Sequence, residues 1–279
     1  MSCVPFEGHG RAMSTLPFDV AVGSVQGREH ARSGRNNQDA ACVRESAHGL
    51  VVVVADGCGS QPCSELGAQL GVRRLAQAAQ ARLARGEPVD GPDFLPELRG
   101  DVLELMEGLA SALGRDVLGD LLFTLVGAVM TPAHTLVFSS GDGVWMLNGQ
   151  VHALGPFPGN APPYLAYALL RGEDVPLVPR ALLPTDDVHA LLVGTDGVGD
   201  LLGLSQARLP ERDEPVGPLS RFWTDDRYFT NPDAVRRRLA QLNRESVRAD
   251  FTERRLLRAP GLLTDDTTLV VLRRRMGRA

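Results

Sequence analysis

The feature that constrains the fold most is an apolar, largely β-branched run at positions 50–55, LVVVVA, which ends directly at Asp56-Gly57. Branched side chains pack well on a pleated surface, so this run predicts a buried strand. Eight further short apolar runs predict strands at residues 18–25, 40–43, 123–130, 135–139, 144–147, 151–154, 190–194 and 267–272. A chain with so many short strands is expected to be built around sheets.

Helical periodicity appears in three places between these strands. Ser64 is a typical N-cap, and apolar residues follow at helical spacing, namely Leu66, Leu70, Leu75, Ala79 and Leu83. Residues 94–113 show the same spacing, and residues 233–247 predict a helix with arginines on its outer face. Asn148-Gly149 predicts a hairpin turn within an antiparallel meander over 123–154. Because helices and strands do not alternate as β-α-β units, the order predicts an α+β fold with helices covering antiparallel sheets.

Three segments describe the expected domain organisation. Residues 1–16 mix glycine, proline and polar residues without a period and are interpreted as a flexible leader. Residues 17–275 are predicted to form a single domain. Within it, the proline-rich stretch 155–184 is expected to be an irregular insertion.

Composition excludes several classes of function. With 29 basic and 34 acidic residues and a net charge of -5, the chain lacks the basic footprint of a nucleic-acid-binding protein. It contains no lysine, which excludes a P-loop lysine, a kinase lysine and a Schiff-base lysine. Its four cysteines lack paired CxxC spacing and are interpreted as reduced thiols. We see no secretory signal and no run long enough to span a membrane, so a cytoplasmic location away from membranes is expected.

Aspartates recur where the predicted strands end. Asp-Gly occurs four times, and three of these follow apolar runs, at Asp56, Asp142 and Asp196. Any single Asp-Gly pair is explained simply as a turn between two elements. Together, carboxylates at the edge of a core would repel one another and lose hydration, and a hard divalent cation such as Mg²⁺ or Mn²⁺ would relieve both costs.

Five segments carry a more specific resemblance. They are Asn37-Gln38-Asp39, Ala55-Asp56-Gly57-Cys58-Gly59-Ser60, Ser140-Gly141-Asp142, Thr195-Asp196-Gly197-Val198-Gly199-Asp200 and Asp265-Asp266-Thr267-Thr268. In order and spacing they resemble the type 2C protein Ser/Thr phosphatases, and most of all their compact bacterial branch. The similarity extends over about residues 20–273.

The resemblance implies a central β-sandwich of two antiparallel sheets flanked by helices, in four α-β-β-α layers. It also implies two or three Mn²⁺ or Mg²⁺ ions, held by Asp56 as a bridging ligand, the Gly57 carbonyl, Asp196, Asp265 and Asp39. Asp142 and Asp200 match the carboxylates that hold a third metal together with Asp196. Asp266 is the weaker candidate of its pair, because many relatives have asparagine there. A metal-bound water would attack phosphoserine or phosphothreonine in proteins, with no side-chain nucleophile and no covalent intermediate.

Several positions depart from that pattern. Many relatives grip the phosphate with an arginine where this chain has Gly34, which leaves the neighbouring Arg35 and Arg32 as candidates. Cys58 stands where the eukaryotic branch has histidine, and His30 is interpreted as a structural hydrogen-bonding residue. The insertion 155–184 occupies the place of the family's flap.

Two other functions remain open at this point. A pseudophosphatase that acts as a regulatory binding module is the alternative that the missing arginine favours. A haloacid-dehalogenase-type phosphatase is disfavoured, because it needs a lysine. As an enzyme, the protein would act on phosphorylated proteins, with a bacterial Ser/Thr kinase or its target as the expected partner.

Overall fold

The computed structural model describes residues 16–210 and 212–275. Within them the strands are β1 (Phe18–Val25), β2 (Asp39–Ser46), β3 (Gly49–Gly57), β4 (Phe123–Met130), β5 (His134–Ser140), β6 (Gly143–Leu147), β7 (Gln150–Leu154), β8 (Val178–Pro184), β9 (Ala190–Gly194), β10 (Ser246–Asp250), β11 (Arg255–Ala259) and β12 (Thr267–Arg274). The α-helices are α1 (Arg28–Ser33), α2 (Glu65–Ala84), α3 (Phe94–Leu113), α4 (Tyr167–Leu170), α5 (Gly197–Gly203), α6 (Arg221–Thr224), α7 (Arg227–Thr230) and α8 (Ala234–Leu242). Short 3-10 turns cover Arg115–Leu121, Pro158–Asn160 and Thr185–Asp187. The predicted leader lies outside the described residues except for Leu16, which is buried.

The strands pair antiparallel in two five-stranded sheets. The first sheet has the order β1-β12-β9-β6-β7 and the second sheet the order β2-β3-β4-β5-β8, while β10 and β11 form a separate hairpin. The two sheets pack face to face, and a cluster of buried side chains from both of them fills the space between. The predicted sandwich of two antiparallel sheets is therefore confirmed.

The run at 50–55 lacks polar alternation because β3 is covered on both faces. Val51 and Val53 pack in a cluster with α2 and α3, whereas Val52 and Val54 face the first sheet. Each of these four side chains is 0% exposed. Burying a valine contributes about 1.5–3 kcal/mol, so this strand anchors the second sheet from both sides.

Helices complete the four layers. The pair α2 and α3 covers the outer face of the second sheet, and α5 to α8 cover the outer face of the first sheet. The predicted helix over 94–113 is confirmed at both ends. On α2 the inner stripe holds Leu75, Ala79 and Leu83, but Leu66 is exposed, so the predicted stripe begins one turn too early.

The prediction of one meander over 123–154 is wrong. β4 pairs with β5 in the second sheet, but β6 pairs with β7 and β9 in the first sheet. The chain changes sheets at Gly141-Asp142, and Gly141 has a φ of 82° that favours glycine at this corner. The hairpin turn at Asn148-Gly149 is confirmed, with both residues at positive φ.

Two further predictions from periodicity need correction. The helix predicted over 233–247 ends at Leu242, and Ser246 begins a strand instead. Its arginines do not all face outward: Arg238 lies on the apolar stripe and is 8% exposed, and its guanidinium donates to the carbonyl of Val216 at 2.8 Å.

The insertion 155–184 is less irregular than predicted. Its end forms β8, which pairs with β5 at the edge of the second sheet. Prolines within this strand, which suggested a loop, are compatible with an edge position, because the missing N–H group then faces away from the ladder.

Among the described residues, no helix is both long and apolar enough to cross a membrane.

Candidate metal centre

Asp39 and Asp56 lie directly opposite each other on neighbouring strands, at the start of β2 and near the end of β3. On β3, Asp56 has the same side-chain parity as Val52 and Val54, which face the first sheet. On β2, Asp39 shares the parity of Ala41, which also faces inward. Both carboxylates therefore point into the open end of the space between the sheets.

The first sheet brings two more aspartates to the same end. Asp196 follows β9 and precedes α5, and Asp265 lies just before β12. Thr195 connects the two sheets, because its hydroxyl donates to Asp39 Oδ2 at 2.8 Å. The backbone N–H of Thr268 in turn donates to Thr195 Oγ1 at 3.1 Å. These contacts hold the β9 and β12 ends against the β2 carboxylate.

Of the two remaining Asp-Gly aspartates, Asp142 lies at this end of the sandwich and Asp90 does not. Asp142 lies at the corner where the chain changes sheets, half-buried beside the ends of β5 and β6. Asp200 is exposed on α5, one turn beyond Asp196. Asp90, by contrast, is exposed in the turn before α3, where it serves only the chain reversal.

Three glycines show how tightly the loops converge. A Cβ on Gly197 would lie less than 3.0 Å from the carbonyl oxygen of Asp266, and one on Gly27 equally close to the backbone of Asp265. A Cβ on Gly57 would meet the backbone of Ser64 at 2.7 Å. Real side chains do not pack at such distances, so these positions require glycine for the close approach.

Asp266 organises the loop that carries Asp39. Its carboxylate is 1% exposed and accepts the N–H of Gly27 at 2.6 Å and the N–H of Gln38 at 2.5 Å. His30 Nδ1 lies 2.9 Å from Asp266 Oδ2. Two backbone N–H groups and His30 thus occupy most of its acceptor positions, which gives Asp266 a structural role, and His30 has the structural hydrogen bond expected of it.

Burial and mutual repulsion perturb the inner carboxylates. Burial, followed by the charges of Asp39, Asp196, Asp265 and Asp142, raises the pKa of Asp56 well above its usual range. Burial and the charge of Asp266 raise the pKa of Asp39 in the same direction, and hydrogen bonds from Thr195 and Thr268 offset only part of this. The charges acting on Asp56 come from carboxylates of both sheets and of the corner between them, so these groups lie in the neighbourhood of Asp56.

The carboxylates nearer solvent are shifted as well. Asp196 presents exposed surface, yet enough protein surrounds its carboxyl that burial, together with Asp142 and Asp265, raises its pKa to about 7. Burial also raises the pKa of Asp142. Burial and Asp265 raise the pKa of Asp200, against a lowering by Arg28.

The donor chemistry fits hard divalent cations. Asp39 Oδ1 and Asp142 Oδ1 are buried and have no hydrogen-bond partner within the described chain. A buried carboxylate oxygen without a donor is costly, and Mg²⁺ and Mn²⁺ prefer oxygen ligands. The cluster therefore has both unsatisfied acceptors and the negative charge that such ions would neutralise.

The most compact set of possible ligand atoms is a different one. Of the described residues, only His30, Asp265 and Asp266 bring three such atoms within 4.8 Å of one another. No choice of one oxygen each from Asp56, Asp196 and Asp265 therefore brings all three within 4.8 Å of one another. Shared ligation by these three requires their side chains to turn towards a cation.

Arginines approach the centre on one side. The Arg35 guanidinium donates to the carbonyl of Gly59, beside the Asp56-Gly57 turn. Arg32 instead pairs with Glu29 on the exposed surface of α1. Arg28 was not predicted from the sequence. Its charge acts to lower the pKa of Asp200, and its guanidinium donates to the Gly261 carbonyl at 2.9 Å.

Two threonines that tie Asp39 to the first sheet, Thr195 and Thr268, were not predicted from the sequence. Thr195 and Thr268 are buried; Thr195 directly follows the apolar run at 190–194, and Thr268 lies at the start of the strand predicted at 267–272. Their inward parity on those strands was a usable signal. Cys58 is half-buried, with its sulfur 3.2 Å from the hydroxyl of Ser60.

A model of one protein family, described as Protein phosphatase 2C, matches residues 26–243. No curated protein matches the sequence. The solved structure of the serine/threonine phosphatase Stp1 from Staphylococcus aureus is 12% identical, covers 95% of this chain and 98% of its own, and has a TM-score of 0.50. The Mycobacterium tuberculosis serine/threonine phosphatase PstP/Ppp is 16% identical over 94% of this chain and 100% of its own, with a TM-score of 0.45. At such identities the likeness concerns the fold.

Proposed function

This chain belongs to the protein phosphatase 2C family and is therefore a metal-dependent protein Ser/Thr phosphatase, and on that premise we propose that the aspartates at the end of the sandwich are its cation ligands. The observation that carries this proposal is the electrostatic state of Asp56. Its pKa is raised by burial and by four carboxylates from both sheets. This density of negative charge near a carboxylate enclosed by protein is tolerable when cations share it.

The ligand set takes its members from both sheets and from the corner between them. Asp56, the Gly57 carbonyl, Asp196, Asp265 and Asp39 would hold two ions, and Asp142 and Asp200 would hold a third ion together with Asp196. Asp39 and Asp142 each offer a buried oxygen that has no donor in the described chain. Two or three Mn²⁺ or Mg²⁺ ions would supply the chemistry, by neutralising the phosphate oxygens and lowering the pKa of an attacking water.

The protein's own contribution is to hold its carboxylates in position. The Thr195 hydroxyl orients one oxygen of Asp39 and leaves the other towards the centre. Asp266 holds Gly27 and Gln38, and through them the backbone that leads into β2. We propose no side-chain nucleophile, because a water molecule would attack phosphorus directly.

Arg35 is our candidate for binding the substrate phosphate. Its guanidinium lies against the Gly59 carbonyl, within the loop that follows Asp56-Gly57. A guanidinium fork suits a phosphate group in charge and geometry. Arg32 is placed less well, because its partner Glu29 holds it on the exposed side of α1.

The substrate is proposed to be a phosphoserine or phosphothreonine protein in a bacterial signalling system, such as a Ser/Thr kinase or its target. We also propose a cytoplasmic location. Cys42, Cys58 and Cys63, the three cysteines of the described chain, form no disulfide with one another, as is usual in a reducing compartment.

The test is hydrolysis of para-nitrophenyl phosphate and of a phosphothreonine peptide by the purified chain with Mn²⁺, Mg²⁺ or EDTA. Activity should require the cation. Asp56→Asn and Asp265→Asn should each reduce it by at least about a hundredfold, since even residues that only support a metal ligand are worth 10–100-fold. Asp90→Asn, an exposed Asp-Gly aspartate away from the site, is the matched control.

Cation-independent hydrolysis, or equal activity of Asp56→Asn and Asp90→Asn, would contradict the proposed ligand set. Anomalous diffraction from crystals soaked in Mn²⁺ would report the number of ions. It would also separate the roles of Asp142 and Asp200 from those of the inner aspartates.

A further inference from the structure

Strands β10 and β11, with the turn 251–254 between them, form a hairpin arm. Among the described residues it pairs with no other strand. The arm carries four of the nine exposed large apolar side chains of the described chain, namely Phe251 at 89%, Leu256 at 61%, Val247 at 47% and Leu257 at 45% exposed. Such a concentration of exposed apolar surface marks an interaction site more often than scattered residues do.

Register divides the arm into two faces. Val247 and Ala249 pair with Arg258 and Leu256, so these four side chains share a face that is largely apolar. Arg248 and Leu257 share the opposite face with the pair formed by Asp250 and Arg255. Each face thus presents apolar surface next to arginine.

The arm is basic in an acidic protein. Residues 246–259 contain four arginines and two acidic residues, whereas the whole chain has a net charge of -5. Arg255 pairs with the half-buried Asp250 at 3.9 Å, and Arg258 pairs with the exposed Glu245 at 3.4 Å. No described residue forms an ion pair with Arg248 or Arg254, which leaves their charges available to an acidic partner.

The base of the arm is joined to the rim of the metal centre. Its two ends meet where the Leu262 N–H donates to the Leu242 carbonyl at 2.9 Å. The carbonyl of Gly261 accepts from the Arg28 guanidinium, and the carbonyl of Leu263 accepts the Arg28 N–H at 3.0 Å. Arg28 begins α1, the helix that places His30 Nδ1 3.7 Å from Asp265. A protein held at the metal centre therefore has the arm within reach.

We propose that the arm docks an acidic segment with apolar residues that belongs to the phosphoprotein substrate itself. This inference rests on the proposed phosphatase function. Five residues per strand give the arm a length of about 16 Å at 3.3 Å per residue. The docked segment then lies about five or more residues from the phosphorylated residue. Phe251, Leu256 and Val247 supply apolar contacts, and Arg248 and Arg254 attract the acidic groups.

The test uses the full chain with Mn²⁺ and three substrates. Two are phosphothreonine peptides with about ten residues on each side, one flanked by glutamate and leucine and the other by lysine and serine. The third is para-nitrophenyl phosphate, which is too small to touch the arm. The variants are Phe251→Ser with Leu256→Ser, and Arg248→Glu with Arg254→Glu. Leu113→Ser and Arg73→Glu, both exposed positions on helices, are the matched controls.

On the acidic peptide, both arm variants should lower kcat/KM by about tenfold through KM, while the controls match the wild type. Hydrolysis of the basic peptide and of para-nitrophenyl phosphate should be unchanged. Fluorescence anisotropy of the unphosphorylated acidic peptide should show the same loss of binding. Because these positions are highly exposed, the variants should retain the wild-type circular dichroism spectrum.

Equal losses on all three substrates, or no loss on the acidic peptide, would overturn the proposal. So would a wild-type dimer that the arm variants convert to monomers, or binding to anionic vesicles that needs the arm, because each assigns the arm another occupant. If the wild type hydrolyses none of the substrates, the proposed phosphatase function fails. The anisotropy measurement then still reports on the arm by itself.

Discussion

Replacing Asp196 by asparagine in the metal-free protein is expected to raise its stability above neutral pH. The pKa of this carboxyl is about 7 in the folded chain, against an ordinary value of 3.8. Between these values the folded chain holds a proton that the unfolded chain has released. The free energy of unfolding therefore falls as pH rises from about 4 to 7, and the loss is complete above pH 7. Asparagine carries no such proton, so the variant lacks this loss.

The size of the effect follows from the same two values. A change from 3.8 to about 7 corresponds to about 4 kcal/mol at 1.36 kcal/mol per unit of pKa. Because Asp196 has an exposed side chain, solvent screens its charge and reduces this figure. We expect Asp196→Asn to raise the free energy of unfolding above pH 7 by about 1–2 kcal/mol. The substitution should also lower the pKa of Asp56, which is raised partly by the charge of Asp196.

The assay is urea unfolding in EDTA at pH 5 and pH 8.5, with Asp90→Asn as the control. Asp196→Asn should lose less stability between the two pH values than the wild type and the control. With Mn²⁺ at a hundred times its Kd, the wild type should gain about 2.7 kcal/mol and the variant less. An identical pH dependence of wild type and Asp196→Asn would refute the assignment of this carboxyl to a crowded anionic cluster.

Three further substitutions test the surroundings of the centre. Asp266→Ala should cost about 1–3 kcal/mol for each buried N–H group that it strands, measured by urea unfolding, and a neutral result would remove its structural role. Gly197→Ala should lower activity towards para-nitrophenyl phosphate by more than about tenfold, because the added Cβ would overlap the backbone of Asp266. Gly203→Ala is the control in the same helix, and its activity should be unchanged because its Cβ would lie in open space. Equal effects of the two substitutions would contradict the close approach at Gly197. Arg35→Ala should raise KM for a phosphopeptide by about tenfold and Arg32→Ala should not, and the reverse order would reassign the phosphate contact.

Much of the fold could be predicted because its determinants are local. The strands ending at Asp56 and Asp196 are dense apolar runs, and strand parity alone directs Asp56 inward. The position of these aspartates at strand ends was therefore readable, and their number pointed to a cation site. What a single segment could not show was that β5 and β6 belong to different sheets, since both read as ordinary members of one meander.

The features that escaped prediction depend on partners distant in sequence. Asp266 accepts from Gly27 and Gln38, which lie more than 220 positions earlier, so no local pattern marks it as a structural acceptor. Arg238 fills a place on an apolar stripe because carbonyls of a distant loop, including that of Val216, accept its hydrogen bonds. The arm is exposed on both faces, and it therefore lacks the alternation by which a half-buried strand is recognised.

The division of the aspartates between the sheets has a consequence for assembly. Asp39 and Asp56 belong to the second sheet, Asp196 and Asp265 to the first, and Asp142 to the corner where the chain passes from one to the other. Neither sheet alone carries the whole proposed ligand set, so a folding intermediate with one sheet formed would bind cations weakly. Tight cation binding would then appear only when both sheets have docked, so the rate of cation binding would report the rate at which the two sheets dock.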